Sequence, residues 1–170
     1  MLILMAGLPG SGKTTLCREL ASRLSGVVLS KDDIRAALFS PELIEYSSEQ
    51  DDFCQKVMLE TAEYIFGKHP EQRVFLDGRT FSRRYQLEQA VAAAEALKQP
   101  WRILECVCSD ETARQRLEAQ VGEHPAANRD YELYLRLKRE FEEITCPKTV
   151  IDTDKPLGTC VELARDALGE

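Results

Sequence analysis

Close to the start of the sequence, three glycines and a proline stand just ahead of a lysine and two threonines: Gly7-Leu8-Pro9-Gly10-Ser11-Gly12-Lys13-Thr14-Thr15. Glycine has no Cβ, so such a loop can take positive φ and turn its backbone N–H groups inward toward an anion. The spacing fits G-x-x-x-x-G-K-[ST], in which the loop cradles a nucleotide's phosphates. Lys13 then reaches the β- and γ-phosphates, and the Thr14 hydroxyl holds Mg²⁺. The pattern needs a strand before it and a helix after it. Residues 2–6 are an apolar run of strand length, and Leu16, Leu20 and Leu24 recur at roughly helical spacing. A helix beginning here adds the positive end of its dipole to the phosphate site. Nucleoside triphosphate binding follows from residues 7–15.

Two further groups carry chemistry. Asp77 closes the apolar run Arg73-Val74-Phe75-Leu76-Asp77, which places a carboxylate where Mg²⁺ is bound directly or through water beside such a loop. Arg79, Arg83 and Arg84 follow at the start of a helix, where the dipole disfavours each cation by up to ~1 kcal/mol. Something must compensate. An anionic acceptor paired with Arg79 or Arg83 is one answer; salt bridging to Glu88 and solvent is the other.

The elements that position these residues alternate. Strands are expected at 2–6, 26–29, 73–77, 103–108 and 149–151. Helices are expected at 32–39, 48–66, 83–98, 111–119 and 131–143, with a break over 122–128 and a closing helix from 158. Strands alternating with helices imply a parallel sheet of five strands, covered on both faces, with ligands at the carboxyl ends of the strands. A length of 170 residues suits one domain with an adequate core.

Composition narrows the partners. The formal charge of −7 argues against a protein that tracks a long phosphate backbone, which calls for a basic stripe. The apolar start lacks a basic n-region, is too short to span a membrane and runs straight into the loop, so it does not read as a signal peptide. The six cysteines form no C-x-x-C pair, and His69 and His124 are far apart. Buried reduced thiols, no zinc site and a cytoplasmic location are the expectation. Cys106 and Cys108 are expected on one face of a strand.

Beyond the second strand stands Ser30-Lys31-Asp32-Asp33-Ile34-Arg35. With the glycine-rich loop, Asp32-x-x-Arg35, Asp77 and the closing Ile151-Asp152-Thr153-Asp154, the chain resembles the small P-loop kinases that phosphorylate a hydroxyl. It resembles in particular the polynucleotide 5′-hydroxyl kinases and the adenylylsulfate-kinase-like group. The resemblance implies a three-layer α/β P-loop fold, ATP and Mg²⁺ as cofactors, and transfer of the γ-phosphoryl of ATP to a small, anionic hydroxyl acceptor. It implies that Asp32 accepts the hydroxyl proton and that Arg35 helps to hold the acceptor. Asp77 in these relatives contacts the acceptor instead of the metal. Asp154 borders the adenine, although a plain turn-and-cap cluster explains the same residues.

The resemblance also implies a lid over about 110–130, whose arginines close on the transferring phosphoryl. Arg116 in Thr112-Ala113-Arg114-Gln115-Arg116-Leu117 matches, but a glutamine, Gln120, stands where a second arginine is usual. Closure then rests on Arg116, on Arg129 across the break, or on Lys13 alone. Two alternatives remain open: a polynucleotide 5′-hydroxyl kinase, which the acidic balance disfavours, and an ATP-binding regulatory module with little or no kinase activity, which Gln120 favours.

Overall fold

Alternate residues of the first strand go to opposite sides, because side chains along a strand alternate across the sheet. In β1 (Leu2–Ala6), Leu2, Leu4 and Ala6 join one hydrophobic layer while Ile3 and Met5 join the other. A strand apolar on both faces belongs in the middle of a covered parallel sheet. In the computed structural model, which describes residues 1–119 and 130–170, β1 is indeed central.

The other strands are β2 (Val27–Ser30), β3 (Val74–Asp77), β4 (Trp101–Val107) and β5 (Thr149–Asp152). All pairings are parallel, in the order β2-β3-β1-β4-β5. Between β1 and its two neighbours the chain changes direction across the sheet, and the crevice at that switch point is where open α/β sheets bind ligands. The three-layer α/β fold with five parallel strands is therefore the one expected.

Helices α1 (Lys13–Arg23) and α7 (Leu157–Leu168) cover one face, with Leu16, Cys17, Leu20, Val161 and Ala164 packed on Ile3 and Met5. Helices α3 (Ser48–Lys68) and α4 (Arg84–Ala96) cover the other, through Met58, Ala62, Leu87 and Ala90. The shorter α2 (Lys31–Leu38) packs on α3, and α5 (Asp110–Ala119) on α6 (Tyr131–Glu140).

Element ends depart from expectation for local reasons. Ser30 caps α2 by accepting from the Asp33 N–H at 3.2 Å, so α2 starts at Lys31. A 3-10 turn, Pro41–Leu43, stands where no element was expected. Helix α3 runs through Gly67, about which the backbone is open, to Lys68. Strand β4 begins two residues early, at Trp101, and ends at Val107, so Cys108 lies beyond it and does not share a strand face with Cys106. Helix α4 is shorter than expected at both ends, with Arg83 as its cap residue. Helix α6 stops at Glu140 because Phe141 turns extended and the Glu142 N–H bonds the Ser82 carbonyl at 2.9 Å. Helix α7 starts one residue early, behind Pro156. Gln120, Arg129 and the expected break at 122–128 lie outside the described residues.

All six cysteines are free; Cys17, Cys54, Cys106 and Cys160 are buried, and Cys108 and Cys146 partly so. Burial pushes the Cys106 thiol up to about 12 and raises that of Cys17 further. A thiol with so little thiolate is a poor nucleophile. Labelling of the native protein with a maleimide at neutral pH is expected to modify Cys146 first and to spare Cys17 and Cys106 until unfolding. Peptide mass mapping checks this, and early labelling of Cys106 would contradict the packing beneath the loop.

Candidate active site

The loop between β1 and α1 is built on three left-handed glycines. Gly7 has φ 132°, and a Cβ placed on it would come within 2.2 Å of the Cys106 carbonyl oxygen. Gly10 and Gly12 have φ 77° and 79°, values that L side chains seldom adopt. Gly12 is also the cap residue of α1, and no side chain caps that helix. Its first-turn N–H groups are therefore presented to the cleft with the positive end of the dipole. Lys13 folds back across the loop, donating to the carbonyls of Gly7 at 2.7 Å and Leu8 at 2.8 Å.

Two clefts meet at this loop. One, of about 440 Å³, runs from Gly12, Lys13, Thr14 and Thr15 past Asp77 to Arg116, Thr153 and Lys155. The other, of about 340 Å³, lies on the opposite side, among Arg35, Tyr46, Arg79, Arg83 and α6. Lys13, Thr14 and Asp32 line both.

On the first side, Arg116 is held over the loop. Its guanidinium donates to the Gly10 carbonyl at 3.2 Å and to the Thr153 hydroxyl and carbonyl at 3.0 and 2.7 Å. The Thr153 hydroxyl lies 2.9 Å from the Ser11 carbonyl. Thr153, only 7% exposed, thus joins the phosphate loop, the end of β5 and Arg116. Asp154 is not among the residues lining this cleft; it accepts from the Ser109 N–H at 2.9 Å at the start of α5. Its hydrogen bonds, with Thr112 first, hold its carboxyl below the usual carboxylate range.

Asp77 ends β3 beside Ser30 of β2, 2% exposed, and its Oδ1 is buried without a hydrogen-bond partner. A buried, unpaired carboxylate oxygen is costly unless a ligand meets it. Asp77 and Thr14 share the cleft wall, and an oxygen pair beside a phosphate site suits Mg²⁺, which usually takes few protein ligands and keeps waters and phosphate oxygens. Among the described residues no cluster of three His, Cys, Asp or Glu suited to a metal occurs.

On the second side, Asp32 sits in the first turn of α2. Arg35, one turn on, donates to its Oδ1 at 2.8 Å, and Lys31 Nζ is 3.8 Å away. Among the described residues the other oxygen, Oδ2, has no hydrogen-bond partner. Arg35 and Lys31 are both fastened to Asp51 of α3, Lys31 at 2.9 Å. The Arg35 guanidinium also lies 5.2 Å from the centre of the Tyr46 ring. Arg79, 2% exposed, is committed to the Asp51 carbonyl at 2.8 Å and to the Asp52 carboxylate. Arg83 pairs with Glu140 at 2.8 Å and Glu142 at 3.6 Å instead of Glu88. The compensation expected for these arginines is therefore supplied by acids of α3 and of the segment ending α6.

Asp51 and Thr153 escaped sequence reasoning. An acid in the first turn of a helix reads as dipole complement, and a threonine after a strand reads as a turn; neither has a motif. Their partners lie 16 and 37 residues away.

A family model described as an AAA domain matches residues 2–144, and the chain belongs to that family. No curated protein matches it in sequence. Its fold is that of small P-loop kinases. A Chloroflexus aurantiacus protein provisionally described as a kinase aligns with TM-score 0.75 at 21% identity, over 98% of this chain and 97% of its own. A sugar kinase from Janibacter sp. HTCC2649 aligns with TM-score 0.72 at 17% identity, over 99% and 94%. The Mycobacterium tuberculosis APS kinase CysC, in complex with AMPPNP and APS, aligns with TM-score 0.73 at 15% identity, over 99% and 97%. Among the described residues no helix is long and apolar enough to cross a membrane.

Thr153→Val keeps the shape but removes the hydroxyl that joins Ser11, Val107 and Arg116. Losing a hydrogen bond to a charged group is expected to weaken nucleotide binding by about tenfold. Calorimetric titration with AMPPNP checks this; unchanged affinity would mean that Arg116 is held without Thr153.

Proposed function

We propose that this protein is an ATP-dependent kinase that transfers the γ-phosphoryl group to a hydroxyl of a small acceptor carrying an anion. The observation that carries the reading is the meeting of the two clefts at Lys13, Thr14 and Asp32. A nucleotide entering along α1 places its terminal phosphate at that junction, and an acceptor on the other side brings its hydroxyl to the same point. The volume of the second cleft, about 340 Å³, suits a small molecule. The family and the kinases of like fold, one of them bound to AMPPNP, support ATP as the donor.

In this reading Asp32 is the general base. Arg35 occupies Oδ1 and fixes the carboxylate, leaving Oδ2 to accept the hydroxyl proton as the acceptor oxygen bonds to the γ-phosphorus and the bond to the ADP oxygen breaks. Lys13 exchanges its loop carbonyls for phosphate oxygens, a charge-assisted contact that is stronger than the neutral one it leaves. Arg116 approaches from the nucleotide side and offsets charge on the phosphate oxygens. Thr14 and Asp77 would hold Mg²⁺, which supplies further neutralisation of the phosphates. Asp77 lines the nucleotide cleft and not the acceptor cleft, which supports a role toward the metal over contact with the acceptor.

Asp32→Asn is expected to keep AMPPNP affinity within a few-fold while lowering phosphoryl transfer by ~10²–10⁴, the usual range for a positioned base. Binding and turnover measured on one preparation test it. Full turnover by the variant would reduce Asp32 to a helix-start residue. Lys13→Ala is expected to abolish transfer in a labelled-ATP screen of hydroxyl acceptors, and wild-type turnover would sink the assignment of the loop.

A further inference from the structure

Six cations line the acceptor cleft: Lys13, Lys31, Arg35, Arg79, Arg83 and Arg136. Five are already engaged, Lys13 by loop carbonyls and the other four by the carboxylates of Asp51, Asp32, Asp52 and Glu140. Arg136 of α6 is the exception. Among the described residues it has neither a hydrogen-bond partner nor an acidic neighbour in contact.

Its position is imposed by the helix that carries it. Leu133, Arg136, Leu137 and Glu140 recur at i, i+3, i+4 and i+7 and all line the cleft, so they form one stripe of α6. The opposite side of α6 is fastened to α5, where Tyr134 donates to Asp110 at 2.6 Å and Lys138 pairs with the same carboxylate. The end of the helix is fastened to the start of α4, where Glu142 accepts from the Arg84 N–H at 2.6 Å. The stripe therefore cannot roll away from the cleft without breaking both attachments. Arg136 is exposed, so its guanidinium is open to a ligand entering the cleft, and Leu133 and Leu137 line the same wall. A planar guanidinium suits the two oxygens of a carboxylate or phosphate.

We propose that Arg136 is the residue that binds the acceptor's anionic group and so selects for acceptors bearing a carboxylate or phosphate monoester remote from the reacting hydroxyl. This rests on the kinase reading above and adds to it the class of acceptor. It also moves the anion contact away from Arg35, Arg79 and Arg83, whose charges are spent on the protein's own acids.

The test separates the site from the reaction. With the nucleotide side filled by AMPPNP and Mg²⁺, inorganic phosphate is titrated and amide and arginine side-chain shifts are followed by NMR. A saturable second site is expected that Arg136→Ala weakens by about tenfold or more. Arg136→Lys is expected to restore part of it, and Arg139→Ala, off this stripe on the same helix, to leave it unchanged. Absence of a saturable site, or equal binding by Arg136→Ala, overturns the proposal. Turnover is then measured with gluconate, glucose 6-phosphate and glucose as probes of acid, phosphate and neutral acceptors. For an anionic probe that is phosphorylated, Arg136→Ala is expected to raise KM by about 10- to 100-fold, with a smaller effect on kcat. An unchanged KM overturns the proposal. Phosphate binding that depends on Arg136, with no acceptor phosphorylated in a wider screen, would sustain the anion site and sink the kinase reading.

Discussion

Everything at the site depends on how closely the loop after β1 lies against β4. The Gly7 α-carbon faces the Cys106 carbonyl with no room for a methyl group, and the Gly7 N–H bonds the Thr80 carbonyl at 3.1 Å. The loop is thereby clamped between the ends of β3 and β4, its neighbours on either side of β1. Left-handed glycines then turn the chain into α1 without a capping side chain. A helix start left uncapped in a buried setting is normally unfavourable. Here the clamp fixes it, which leaves its N–H groups suited to an anion.

Around that fixed point the charges are arranged asymmetrically. The chain is acidic overall, at −7, yet cations converge on the clefts. In the second cleft four of the six are neutralised by carboxylates, since a guanidinium as deeply buried as Arg79 is untenable without a carboxylate beside it. The pairing does structural work of its own: Asp51 ties α3 to α2, and Asp52 ties it to the turn after β3. The same pairing orients Asp32 through Arg35. Asp51 is therefore linked to Asp32 through Arg35, although Asp51 itself bears no motif.

The two sides of the site are also joined through α5 and α6. Helix α5 carries Arg116 over the first cleft, and α6 carries its stripe over the second. Tyr134 and Lys138 of α6 share Asp110 of α5. The two helices are joined by these bonds and by the packing of Tyr134 with Ala113 and Leu117.

Much of this was decided by the sequence alone. The glycine spacing of residues 7–15 and the alternation of strands with helices determined the phosphate loop, the parallel sheet and the ligand edge, because backbone freedom and hydrophobic periodicity are local properties. Asp77 was singled out by its place at a strand end, whereas Asp32 and Arg116 came from the resemblance to small P-loop kinases; all three line the cleft beside the loop. The partners of the arginines were not. Arg79 and Arg83 show a deficit of negative charge at the start of α4, but the acids that meet it, Asp52 and Glu140, lie 27 and 57 residues distant in the chain. Which cation of the second cleft has no partner among the described residues, and which strand end accepts the loop, depend on how distant elements fold together. Only the tertiary structure decides that, since charge pairing acts over a few ångströms of space and takes no account of separation along the chain.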